Sequence, residues 1–337
     1  MSNTKQIFII GSSRSGTTMM GRILNNHPDI FTFRELHFFG TIWTNSFPKE
    51  LSAKNSRVLL SKLLCIQEYG IFNQQRIKEF SNKAKEMLHQ KAVKNPLEIY
   101  RLFLQSLTLT NTSLISCEQT PKNIYYLNEI LEYFPDAKVI NMVRDQRDVL
   151  LSQKKKWKRR FLGASKIPLS EAIRSYINYH PITIAKVWNS SLTLTHKYRD
   201  NSRVKIIKFE QLLADPITII KDICHFLNIE YNEEMLKVPK VGSSTEQDAK
   251  DTLQIDGTKI QKWKNGNLTN AELFISQFVS YKMMSQFSYK LKRFRIPPLL
   301  TLVYLITFPI KLVVAFLLNI HRMGNIFEVI KKRFFIK

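Results

Sequence analysis

Acidic side chains and cysteines are scarce in this chain. Its 337 residues carry 27 Asp and Glu against 51 Lys and Arg, a formal net charge of +24. That imbalance predicts an anionic partner and leaves nucleotide, nucleic acid, acidic glycan and anionic lipid all open. The three cysteines, Cys65, Cys117 and Cys224, are odd in number, far apart and without a C-x-x-C pair. A disulfide framework or a zinc site is therefore not expected, and no metal ligand set is assigned; a reducing compartment is the better match. No apolar leader precedes the first apolar run at Ile7, so neither a signal peptide nor a signal anchor is expected there. Hydrophobic residues make up 44%, which excludes global disorder. No internal repeat is present.

Short apolar, β-branched runs at Ile7–Ile10, Ser113–Cys117, Lys138–Val143 and Val204–Phe209 read as strands. Helical spacing runs through Thr17–Asn26, Asn123–Tyr133 and Gln146–Gln153. Pro216–Leu227 reads as a further helix, with Asp215 as its N-cap and proline in its first turn. Strands alternating with helices predict an α/β fold with a central parallel sheet flanked by helices. Ligands then bind beyond the carboxyl ends of the strands, where both Gly11 and Arg144 fall. Residues 50–110 read as a helical insertion, Leu236–Thr258 as a long loop, 1–290 as one domain and 291–337 as a basic-flanked hydrophobic tail.

The first strand runs into "GSSRSGTT". Gly11 and Gly16 have the spacing of a phosphate-binding loop, G-x-x-x-x-G-K-[ST], but Thr17 stands where the lysine belongs and Arg14 lies inside the loop. Backbone N–H groups at a helix N-terminus favour an anion. Ser15, Thr17 and Thr18 add hydroxyls, and Arg14 adds a fork of charged donors. A nucleoside triphosphatase needs the missing lysine and a strand-end Asp for Mg²⁺; the nearest strand-end acid is Glu118. The loop thus predicts an anion site of another kind.

A second stretch, "VRDQRDVLLS", ends a strand at Arg144 and places Ser152 two helical turns on. Together the two stretches resemble the 3'-phosphoadenylyl sulfate (PAPS)-dependent sulfotransferases, closest in layout to the tyrosylprotein branch. The resemblance implies a P-loop-like three-layer fold and transfer of a sulfuryl group from PAPS, without a metal, to a hydroxyl on protein tyrosine, glycan or lipid. It implies that Arg14, Ser15, Gly16, Thr17 and Thr18 hold the 5'-phosphosulfate. Arg144 and Ser152 would hold the 3'-phosphate. "FRELHFF" puts Glu35 at the position of the branch's general base, with His37 as the alternative base. "KFEQLLADP" and "SSTEQ", followed by Lys262–Trp263, resemble further pieces of the branch and map two nucleotide contacts onto Ser244 and Lys262.

Departures from the branch pattern are local. Gln119 occupies the place of a lysine before the Thr-Pro step, with Lys122 as a nearby substitute, and Phe209 replaces a tyrosine. These changes keep open a non-catalytic nucleotide-binding module on the same fold. The run "KKKWKRR" at 154–160 keeps open a nucleic-acid binder, against a solvated helix face. Residues 297–320 are apolar nearly throughout and as a helix would reach about 36 Å, enough for a bilayer. Fifteen Leu, Ile, Phe or Val in 299–320 favour insertion by about 4.5–9 kcal/mol, against about 2.5–3.5 for Lys311. Pro309 predicts a kink. Positive residues flank both ends, Lys290, Lys292, Arg293 and Arg295 before and Arg322, Lys331, Lys332 and Arg333 after. The expectation is membrane association from the cytoplasmic side, spanning, re-entering or lying on the bilayer.

Overall fold

The computed structural model describes residues 5–89, 93–293, 295, 297–320 and 325–334. Arg322 lies outside them. Five strands form one parallel sheet: β1 (Lys5–Gly11), β2 (Ile30–Thr32), β3 (Ile115–Glu118), β4 (Lys138–Val143) and β5 (Val204–Lys208), in the order β2-β3-β1-β4-β5. β1 lies between β3 and β4, with Ile7 opposite Cys117 on one side and Lys138 on the other. Its side chains alternate: Phe8 and Ile10 enter one apolar cluster, Ile7 and Ile9 a second on the opposite face. Both faces of the sheet are therefore covered, as a continuous apolar run in a parallel strand requires, and the fold has three layers.

Thirteen α-helices lie among the described residues. They are α1 (Thr17–Asn25), α2 (Ala53–Tyr69), α3 (Ser81–His89), α4 (Pro96–Thr110), α5 (Leu127–Tyr133), α6 (Gln146–Lys154) and α7 (Leu169–Ile177), then α8 (Pro181–Lys197), α9 (Phe209–Ala214), α10 (Pro216–Leu227), α11 (Asn270–Gln286), α12 (Pro298–Asn319) and α13 (Ile326–Phe334). Residues 50–110 do hold helices, α2 to α4, and they build the first cluster with α5. α1, α9 and α10 cover the other face. Asp215 caps α10 through the Thr218 amide, as the Asp-Pro pair predicts.

The four strands expected are present, Val204–Phe209 ending one residue earlier because Phe209 opens α9. β2 was not expected: three residues, Ile30 to Thr32, are too few to show a period. The expected loop 236–258 contains a short antiparallel ribbon, β6 (Pro239–Lys240) with β7 (Ala249–Leu253). β7 is mostly exposed, so burial imposes no alternation for a sequence reading to find. Asn123–Tyr133 begins as a 3₁₀ turn at Pro121–Tyr126 before α5. In the tail, α12 runs as one helix through Pro309, and α13 follows.

Candidate functional site

β1 delivers the chain to the loop at its carboxyl end. Gly11 has φ 142°, and a Cβ there would lie 2.2 Å from the Met142 carbonyl oxygen on β4. Gly16 has φ 95°, and its Cβ would lie 2.3 Å from the Phe209 ring. The loop thus needs glycine at both positions, for the backbone conformation and for the approach of neighbouring elements. Gly16→Ala is expected to lower stability by about 1–3 kcal/mol through overpacking against Phe209, read as a lower urea midpoint at unchanged m-value. Gly16 supplies no side-chain cap to α1. The first amides of that helix have no intrahelical acceptor, and they open beside Thr17 and Thr18 into a cleft of about 290 Å³.

Arg14 stands at φ 75° and draws distant segments together. Its Nε donates to Ser152 Oγ (2.9 Å). Its Nη2 donates to the Gly242 carbonyl (3.0 Å) and to Ser244 Oγ (3.2 Å). The two serine hydroxyls lie 2.8 Å apart. Arg144, just past β4, returns to the loop: Nη1 donates to the Arg14 carbonyl (3.2 Å) and Nη2 to that of Lys259 (3.3 Å). Its guanidinium lies 4.4 Å above the Phe209 ring, so Phe209 supports both the loop and Arg144 with its ring alone. Arg14, Arg144, Ser152 and Ser244 are thereby brought into one cluster, and Gly16, Thr17, Thr18 and Lys262 line the same cleft. Ser15 is buried beside it, its hydroxyl without a protein partner.

The cleft is strongly basic. Burial lowers the pKa of Arg14 to about 10, and the neighbouring Arg144 and Arg159 push it the same way. Burial also lowers Arg144, opposed by Asp148, Glu210 and Asp145. Crowded cations that destabilise one another favour a polyanion between them. Asp148 does separate work: it accepts from the Gln261 and Trp263 amides (3.1 and 2.9 Å). It thereby fixes the segment that carries Lys262. The Lys262 ammonium itself pairs with Glu246.

Glu35 lines the same cleft. It is 39% exposed, and its Oε2 lies 3.5 Å from His37 Nε2. Loss of hydration on burial raises its pKa above the ordinary carboxylate range, against the opposing pull of Lys156, Arg14 and Lys122 in that order. Glu118, at the end of β3, holds this segment. It accepts from the Leu36 and Thr120 amides and from the Thr120 hydroxyl and Asn123 amide side chains. Sequence reading weighed Glu118 only as a metal acid; it is a buried tether for the strand-end loop. Gln119 does not line the cleft. Its carboxamide oxygen is buried against Gly21 of α1, without a hydrogen-bond partner.

The span 6–233 matches the sulfotransferase family. It contains the loop, Glu35, Arg144 and Ser152. The chain belongs to the sulfotransferase family. A protein-tyrosine sulfotransferase of Drosophila melanogaster is 26% identical over 235 residues, 68% of this chain. The match covers only 39% of that relative's length. The sulfotransferase domain of the Synechococcus PCC 7002 olefin synthase shares the fold, with a TM-score of 0.51 at 20% identity over 86% of this chain and 96% of that one. So does the sulfotransferase domain from the curacin biosynthetic pathway, with a TM-score of 0.51 at 19% identity over 85% and 98%. Family and fold together support sulfuryl transfer. Among the described residues, no group of three or more His, Cys, Asp or Glu could hold a metal ion.

This sulfotransferase also has cleft residues that sequence reading missed. Arg159 belongs to the basic run 154–160, yet it turns inward. Arg159 lines the cleft, donates to the Ser243 carbonyl (2.8 Å) and pairs with Asp248 (2.8 Å). Lys156, half-buried in the same run, feels the charges of Arg14, Arg174, Glu35 and Glu171. Arg22 and Lys259 line the cleft as well. Their only sequence signal was membership of a basic chain, which does not say which cations converge.

Proposed function

We propose that this sulfotransferase moves the sulfuryl group of PAPS to a hydroxyl acceptor. The observation that carries the reading is the convergence on Arg14 of Ser152, Ser244 and Arg144 from three separate segments, in a basic cleft with Glu35 on its wall. The residues fit such a donor. Ser15 Oγ and Arg144 Nε are buried without protein partners, and seven cations line the cleft beside three acids. Arg14, Ser15 and the Gly16–Thr18 turn would hold the 5'-phosphosulfate; Arg144, Ser152, Ser244 and Lys262 would hold the rest of the nucleotide. When bound, the donor supplies an activated sulfuryl group, whose S–O bond to phosphate breaks as the acceptor O–S bond forms.

The chain's own contribution is positioning and charge. Glu35 accepts the acceptor's hydroxyl proton. Arg14 balances charge growing on the leaving phosphate, and Lys156 brings to this wall the positive charge that Gln119 does not supply. Burial, with repulsion from Arg14 and Arg174, lowers the Lys156 pKa to about 8. The pH profile of kcat/KM should then be a bell. It should rise as Glu35 ionises, above the ordinary carboxylate range, and fall near pH 8 as Lys156 loses its proton. Lys156→Met should lower turnover about 10–100-fold and remove the alkaline limb. A Lys156→Met enzyme that keeps the wild-type alkaline limb would take this role from Lys156.

The direct test is transfer of labelled sulfate from PAPS into cell extract, separated into protein, glycan and lipid. Label in one fraction is the expected result. Donor binding with no label in any fraction would mean a non-catalytic nucleotide-binding module. The inward turn of Arg159 and the pairing of Lys154 with buried Glu272 divide the basic run and disfavour the nucleic-acid reading. Salt-sensitive binding to random DNA without donor binding would restore it.

A further inference from the structure

The C-terminal helix has its polarity inside out. α12 lies along α7, α8 and α11, and the side it turns toward them holds its few polar groups. Lys311 Nζ reaches the Ile177 carbonyl (3.4 Å). Asn319 accepts from Arg174 Nη1 (2.6 Å). The Tyr304 carbonyl meets His180 Nε2 (3.1 Å), and Phe308 lies against the same imidazole. The opposite side is aliphatic and open: Leu299 is 76% exposed, Ile306 63%, Ile310 66% and Leu317 60%. No residue of the helix is buried. A water-facing helix would carry the reverse pattern, and exposed apolar surface of this extent marks an interface.

Neighbouring elements extend the face. Leu169, Ile173 and Tyr176 on α7 are exposed, as is Phe161. Trp157 packs edge-on against Phe161 and Tyr176. Exposed cations border these apolar groups: Lys158 and Lys166 before α7, and Lys290, Arg293 and Arg295 before α12. Aromatic and basic residues at the rim of an apolar surface are complementary to the headgroup region of an anionic bilayer. The contacts at Tyr304, Lys311 and Asn319 are spread over most of α12, so the helix cannot cross a bilayer while docked. With Lys311 turned to the protein, its charge need not enter lipid.

We propose that α12, α7 and the 157–161 segment form one face that lies in the plane of an anionic membrane, and that the acceptor hydroxyl is borne by a lipid of that membrane. The acceptor part rests on the sulfotransferase reading. Its structural basis is the 156–161 turn, which packs on α7 and sends Arg159 into the cleft, while Arg174 of α7 binds α12. The cleft wall and the membrane face are thus joined through one turn and one helix.

The test uses the full chain and phosphatidylcholine vesicles with and without phosphatidylglycerol. Flotation with the anionic vesicles is expected. The Ile306→Glu/Ile310→Glu double variant should lose about tenfold or more in vesicle affinity, since two apolar groups become carboxylates at an anionic surface. Ile173→Glu, on the folded domain, should weaken binding in the same direction. Single cysteines at Lys290 and Lys331 should both react with an impermeant maleimide added outside, over a low background, because the three native cysteines are buried. Protection of one of the two would show a spanning helix and overturn the in-plane arrangement. A chain that ignores vesicles but forms a dimer, dissociated by the same double variant, would make a second copy the occupant and overturn the membrane face. With labelled donor and extracted lipids in the vesicles, label should enter lipid and drop in the double variant. Label confined to protein or glycan would overturn the lipid acceptor alone. No label in lipid, protein, glycan or a small soluble phenol would instead overturn the sulfotransferase reading, leaving the vesicle result standing.

Discussion

Glu35→Gln is expected to slow turnover by roughly 10²–10⁴-fold, the usual contribution of a positioned general base, with donor affinity nearly unchanged. The expectation follows from place and charge together. Glu35 is on the cleft wall, partly open to solvent, with a raised pKa and the cations of Lys156, Arg14 and Lys122 in range. The amide keeps the size of the carboxylate and cannot take a proton. His37, with Nε2 3.5 Å from Glu35 Oε2, is the internal control. His37→Ala should cost far less, because in the proposed mechanism the imidazole is the neighbour of the base and not the acceptor of the proton. Single-turnover rates and donor binding by calorimetry separate the two effects. A Glu35→Gln enzyme with wild-type turnover beside an inactive His37→Ala enzyme would exchange their roles.

Arg144→Ala should act mainly on donor binding. Removing a charge-assisted hydrogen bond weakens binding by about 1.5–3 kcal/mol, or roughly 10–150-fold at 1.4 kcal/mol per decade. The loss should nearly vanish for a nucleotide without a 3'-phosphate, which makes the comparison specific. Arg144 also donates to the Arg14 and Lys259 carbonyls and covers the Phe209 ring, so part of any loss reflects a looser loop. That part is equal for both nucleotides. Equal total losses would remove the 3'-phosphate from Arg144.

Much of the sheet could be read from the sequence, because buried parallel strands are apolar on both faces. Ile7–Ile10 and Lys138–Val143 stand out for that reason. β2 did not, and β7, mostly exposed, had no burial to imprint a pattern. The anion loop was legible because its demands are local: Gly11 and Gly16 answer to positive φ and to close approach, and both leave a mark on one short stretch. Arg144 and Ser152 were singled out by the family resemblance; that both reach Arg14 is a finding of the tertiary structure.

Lys156, Arg159 and Glu118 belong to the tertiary structure alone. Within "KKKWKRR" nothing distinguishes Arg159, which lines the cleft, from Lys158, left in solvent; the path of the chain after α6 decides it. Glu118 looked like a misplaced metal acid until the Leu36 and Thr120 amides closed on it. Gln119 seemed to face the donor, yet it packs against Gly21. The apolar length of 297–320 was determined by its sequence, and with it the expectation of a membrane. Which side of α12 faces outward was decided by docking on α7, α8 and α11. The few polar residues in that stretch cannot say by themselves whether they mark the water side or the protein side; only their partners, Ile177 and Arg174 on α7 and His180 beside it, do so.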